Sequence, residues 1–257
     1  MSVIESHVER LAWISKLEIP EAPAAVSSRE RSAVVRASAD ENGAAVVKGS
    51  VVSFVSGLTD QARDDVQNST LLMQLAADKK FDPDSQKQEW FKFYTEGLAN
   101  LGWGRVSSVY SDYQPKNTDV TMDQVVLEVL AQVVAPESAL YLVVAQTFEA
   151  LKSNPNNQGA LKLFDNSSTK SGTGTFQILP AAQDTGGNVI MVLTCVNATT
   201  TVQSGSFLFW HWSSSSSRMY RAAQQIVLNE SVYKQVRQAV IDKLGDNAKN
   251  FVKDLDI

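Results

Sequence analysis

The sequence predicts an α+β protein, with a mainly antiparallel sheet of four to six strands flanked by helices. Three observations carry that expectation. Apolar residues recur at helical spacing through much of residues 1–165. After Asp165 four strand-forming runs follow at hairpin spacing. An amphipathic helix then closes the chain. With no internal repeat, and with the serine-rich loop at 165–174 too short to separate two units, one domain over 1–257 is expected. It would have a helical part (1–165), a strand-rich part (166–228) and a C-terminal helix (229–257).

Taken in order, Val3, His7, Leu11, Ile14 and Leu17 share one face of a helix over 3–18, which Pro20 and Pro23 end. Residues 19–31 read as a loop. The stretch 32–58 is rich in alanine but carries Val46-Val47, Val51-Val52 and three glycines; two short helices are expected there. Thr59 and Asp60 cap a helix over 60–79. Asp82-Pro83 suits the start of a helix over 83–100, because proline at the first position forfeits no needed donor. That helix holds Trp90, Phe91, Tyr94 and Leu98, and Gly102 stops it. Residues 105–113 favour a strand. Thr121 caps a helix over 122–134, and Pro136 starts another to about 153. A short helical piece covers 158–164. The strand run is 174–180, 187–199, 205–214 and 217–228, and a helix over 230–244 ends at Gly245, with a further helical turn or two to Ile257.

Composition excludes more than it assigns. A net charge of −5 argues against broad nucleic-acid binding. One cysteine in 257 residues fits a reducing compartment or a protein without disulfides. The first residues lack a basic n-region and an apolar h-region, so cytoplasmic synthesis, with release by some other export route, is the expectation. No apolar stretch reaches the roughly 20 residues of a membrane span. Four N-x-S/T sequons, at Asn68, Asn166, Asn197 and Asn229, read as Ser/Thr richness and not as glycosylation. Two histidines and one cysteine are too few for a His/Cys metal site, and no phosphate-binding loop or nucleophile elbow is present. No catalytic residue and no metal ligand are assigned.

What remains is Cys195, inside the apolar run Val189-Ile-Met-Val-Leu-Thr-Cys-Val196. A hairpin joining 187–199 to 205–214 would set Cys195 opposite Trp210, His211 or Trp212. In the middle register His211 could activate the thiol for nucleophilic chemistry; a slip of one residue would send the two to opposite faces. Phe207-Leu-Phe-Trp-His-Trp212 is apolar on both alternating faces, which suits a central, doubly covered strand. Two greasy faces also suit the wall of an acyl cavity. An apolar setting raises a thiol pKa, so inert packing ranks first for Cys195, acyl attachment second and enzyme chemistry third.

Several segments resemble a family of small bacterial and fungal proteins: Gly49-Ser-Val-Val-Ser-Phe-Val55, Asn68-Ser-Thr-Leu-Leu-Met-Gln-Leu-Ala76, Trp90-Phe-Lys-Phe-Tyr94 with Leu101-Gly-Trp103, and Phe207–Trp212 with Leu228-Asn-Glu-Ser-Val-Tyr233. Among characterised proteins, size, helices around a sheet and one cysteine in an apolar strand resemble the Erwinia virulence factor family. That resemblance implies a compact α/β protein that helps bacteria persist in an insect gut, with a palmitoyl chain carried on a cysteine in an apolar pocket. Cys195 would be the acceptor, as the chain has no other cysteine. Met191, Leu193, Phe209 and His211 are the expected pocket lining. The resulting expectation is a non-enzymatic, toxin-like or virulence-associated effector with no cofactor beyond a covalent fatty acyl group. Its partner would be a membrane or other component of a host or competing cell. The alternatives are a pore-forming or membrane-binding toxin, and a thiol-dependent acyltransferase or hydrolase using Cys195 and His211.

Overall fold

The computed structural model describes residues 4, 6–21, 36–104, 110–115, 119–170, 173–199, 207–209, 211–213 and 218–257, with backbone alone at 170, 207 and 211–213. In chain order its elements are α1 (His7–Lys16), β1 (Gly43–Val47), β2 (Ser50–Phe54), α2 (Asp60–Lys80), α3 (Lys87–Asn100), β3 (Ser111–Tyr113), β4 (Asp119–Thr121), α4 (Met122–Leu130), α5 (Ala139–Ser153), α6 (Gln158–Ser168), β5 (Thr169–Lys170), β6 (Thr173–Gln183), β7 (Val189–Thr199), β8 (His211–Ser213), β9 (Arg218–Val227), α7 (Glu230–Leu244), α8 (Asn247–Phe251) and β10 (Val252–Leu255). The fold class is α+β, as the sequence predicts.

The main sheet runs β10-β1-β2-β6-β7-β9-β3, with β5 folded onto β6. Only β2 and β6 pair in parallel; every other pairing is antiparallel. One face packs on α1, α2, α3 and α7 through Val52, Leu72, Phe91, Leu193 and Val236, among others. The opposite face packs on α4, α5 and α6 through Val51, Val126, Phe148, Phe164, Phe176 and Val196. A sheet covered on both faces needs strands without alternation, and β6 and β7 are buried along almost their whole length. Pro180 has no N–H to give, and the β6–β7 ladder skips residues 179 and 180 before resuming in the same register.

The helices with strong local signals form where expected. Thr59 Oγ1 accepts from the Ala62 N–H at 3.2 Å, and Gln124 Oε1 accepts from the Thr121 N–H at 3.0 Å, one half of a capping box. Asn229 Oδ1 caps α7 through the Val232 N–H at 3.2 Å, and Gly245 ends it with φ of 49°. Asp82 sits differently. It accepts from the Asp84 and Ser85 amides at 3.0 and 2.9 Å in a turn, and α3 begins only after Gln86.

Four expectations are corrected. The described part of 32–58 is a hairpin, not two helices. All ten residues of β1 and β2 are buried, so its polar/apolar alternation is erased, and small residues mimic a helix-former run. Gly43 is required there, since a Cβ would meet Arg63 Nη1 at 2.9 Å. The described residues of 205–214 do not form a strand of the main sheet: Phe207–Phe209 is a 3-10 turn and His211–Ser213 is β8, which pairs with β4 in a separate two-stranded sheet. The C-terminal end adds β10 to the sheet edge after one short helix. Together with β5 this takes the main sheet to eight strands, beyond the four to six expected. Of the strand expected over 105–113, residues 111–113 are β3, and 105–109 lie outside the described residues.

Candidate functional site

Cys195 lies in the middle of β7, between Gln177 of β6 and Ala222 of β9. Both neighbouring positions are therefore taken, and the cross-strand partnership with His211 does not form: β8 pairs instead with β4, His211 standing opposite Thr121. A strand has two edges and so at most two partners, and β6 and β9 occupy both edges of β7. Met191, Leu193 and Cys195 share the face packed on α2, α3 and α7, whereas Phe209 packs on the opposite side of the sheet. The expected pocket lining is thus divided between two layers, and the His211 side chain lies outside the described residues.

The thiol is 0% exposed, and burial pushes its pKa well above the ordinary value. Two buried tyrosines of the same core layer lie close enough to act on it electrostatically. Tyr94 of α3 stacks on Trp90, with ring centroids 5.2 Å apart. Tyr110 tilts against Phe91 at 4.5 Å. Burial first, and then the neighbouring Cys195, raise both phenol pKa values well above ordinary. Among the described residues the Tyr110 hydroxyl has no hydrogen-bond partner, and the Tyr94 hydroxyl has only Thr70 Oγ1 beside it, without a well-formed hydrogen bond between them. An unpaired buried hydroxyl costs about 1–3 kcal/mol, so an acceptor within reach of Tyr110, and of Tyr94 if it turns from Thr70, would be stabilising. Among the described residues no cluster of three or more His, Cys, Asp or Glu side chains could hold a metal ion.

A second feature has no counterpart in the sequence reading. A cleft of about 480 Å3 opens where the β1–β2 turn meets α2 and the end of α6. Lys48 occupies the turn with φ of 52°, uncommon for a residue with a Cβ. Its ammonium pairs with Asp78, which also accepts from Trp90 Nε1 at 2.7 Å. Gln74 reaches beneath the turn. Its Oε1 accepts from the Gly49 N–H at 3.1 Å, and its Nε2 donates to Val47 O at 3.1 Å and to Ser50 Oγ at 3.0 Å. Ser50 Oγ in turn donates to Gln177 Oε1 at 2.8 Å. The signal that could have revealed this turn is Lys48-Gly49 between two valine pairs, a two-residue hairpin loop with glycine at its second position.

No family model matches the chain, and no curated protein matches it. Among solved structures, the chain is similar to a delta-endotoxin at TM-score 0.43 and 13% identity, over 81% of this chain and 91% of that one. It is similar to the Evf virulence factor at TM-score 0.34 and 12% identity, over 91% of this chain and 90% of that one. Both are weak structural likenesses. No helix among the described residues is long and apolar enough to cross a membrane.

Proposed function

We propose that the protein is a non-enzymatic, toxin-like or virulence-associated effector that carries a fatty acyl group as a thioester on Cys195. The observation that carries the acyl reading is a fully buried thiol in one core layer with two buried phenols, Tyr110 without a hydrogen-bond partner among the described residues and Tyr94 with only Thr70 at hand. A thioester carbonyl offers two lone pairs, enough for both donors. The same burial disfavours the thiolate, and with it a catalytic nucleophile. The effector reading itself rests on the resemblance in size, in helices around a sheet and in a single cysteine within an apolar strand, and its target is a membrane or other component of a host or competing cell.

The acyl group comes from an activated acyl thioester. The Cys195 sulfur–carbon bond forms as the donor's sulfur–carbon bond breaks, and the cysteine proton leaves with the donor thiol. Because the folded protein seals the sulfur, acylation precedes closure of the α3 layer over β7. The intact mass of protein from its native host tests this. An added mass of one long-chain acyl group, lost with hydroxylamine and absent from Cys195→Ser, is expected. Unmodified mass in protein from that host overturns the acyl reading. Alkylation of unacylated protein with iodoacetamide should proceed only on unfolding; rapid labelling of the native thiol near neutral pH would restore the enzyme reading.

A further inference from the structure

The Cys195 reading leaves the cleft at the β1–β2 turn without a role, and its chemistry suits a different ligand. Its walls set Lys48, Lys79 and Lys80 against Asp78, Asp82 and Asp84, so neither sign of charge prevails. Lys48 is committed to Asp78, and Asp82 to the amides of its own turn. The floor is made of Gln74, Thr175, Gln177 and Ser168. Gln74 is spent beneath the turn and Thr175 Oγ1 on Pro83 O and Asn197 Nδ2, so Gln177 Nε2 and the Ser168 hydroxyl are the groups here that no hydrogen bond above engages; like alcohol groups, a hydroxyl both donates and accepts.

Ser168 is the telling residue. It is 5% exposed, its Oγ has no hydrogen-bond partner, and it lines the cleft. That Oγ lies 3.6 Å from where a Cβ on Gly49 would stand, and Gln74 Oε1 lies 3.4 Å from the same point. With Ser167 O also 3.4 Å from that point, a Cβ at 49 would just fill a narrow gap beside an unsatisfied hydroxyl, and glycine leaves that gap unfilled. We propose that the cleft binds a small, uncharged, hydroxyl-rich ligand of the saccharide class, anchored by Ser168 Oγ in the space left by Gly49. A volume of about 480 Å3 is within the range of small-molecule sites and holds a mono- or disaccharide.

The full chain is titrated with glucose, galactose, N-acetylglucosamine and maltose under saturation-transfer NMR, with inorganic phosphate and spermidine as charged controls. At least one sugar is expected to bind at millimolar concentration, and neither charged probe to compete. Ser168→Ala should weaken that binding about tenfold, the loss of one hydrogen bond, without lowering Tm, because the hydroxyl has no partner in the free protein. Gly49→Ala should abolish binding. Its backbone is not left-handed and the new Cβ makes no contact under 3.4 Å, so the variant is expected to fold; should it fail to fold, Ser168→Ala decides alone. Silence from all four sugars, unchanged affinity in Ser168→Ala, or displacement by phosphate or spermidine each overturns the proposal.

Discussion

Replacing Tyr94 by phenylalanine should change the stability of the unacylated and acylated proteins in opposite directions. The ring stays stacked on Trp90 at 5.2 Å, so packing is preserved and only the hydroxyl is lost. In the unacylated protein that hydroxyl is buried with only Thr70 Oγ1 beside it and no well-formed hydrogen bond, a desolvation penalty of up to about 1–3 kcal/mol. Its removal should leave the midpoint of urea unfolding unchanged or raise it by up to that amount. In the acylated protein the same hydroxyl donates to the thioester carbonyl, and its loss should destabilise by about 0.5–1.5 kcal/mol. Tyr110→Phe should behave alike, its ring held on Phe91 at 4.5 Å. Since both hydroxyls share one acceptor, the double variant should show coupling in the acylated form and near-additivity in the stripped form. The assay is paired urea unfolding of native-host protein before and after hydroxylamine, with m-values compared. A loss of about 1 kcal/mol or more in unacylated Tyr94→Phe would mean that the hydroxyl already has a partner, and the reasoning from unpaired hydroxyls would fall.

Three further outcomes follow from the packing. Gly97→Ala places a Cβ 2.0 Å from Met73 Cε between α2 and α3, so overpacking should cost about 1–3 kcal/mol despite better helix propensity; Met73→Ala should relieve part of it, as read by thermal unfolding of the double variant. Arg63, 1% exposed, donates to Leu58 O, Ala37 O and Glu41 O at 3.1, 2.9 and 2.6 Å. Lysine lacks its planar fork, so Arg63→Lys should destabilise by about 3 kcal/mol or more, and hydrogen exchange should rise first at residues 37–41. Hydrogen bonds from Asn154 and Asn156 hold the Asp256 carboxyl below its ordinary value of 3.8. The stability it contributes is present above that value and lost as pH falls through the lowered one. Asp256→Asn should therefore show a smaller loss between pH 5 and pH 2 in acid titrations followed by circular dichroism.

Local chemistry accounts for what was legible. The helices α2, α4 and α7 carry their own starts and stops, namely Thr59, Thr121 with Gln124, and Asn229 with Gly245. A cap bonds to amides two or three residues away, so the sequence states it directly. Strands β6 and β7 were legible as apolar runs between turn residues, and β9 as a further run at hairpin spacing. The β1–β2 hairpin was not, because burial on both faces removes the period-2 signal. The cleft was invisible for a related reason. Ser168, Gln74 and Gly49 are far apart in sequence, and each is unremarkable until the parallel β2–β6 pairing brings the turn against α2 and α6.

By itself the sequence determined the α+β class, most helices, and the apolar strand that holds Cys195. Tertiary structure alone decided what that thiol meets. Partner choice in a sheet is non-local, with every strand competing for two edges. The edges of β7 went to β6 and β9, which placed Cys195 in the core layer of Tyr94 and Tyr110 and sent His211 to a different sheet.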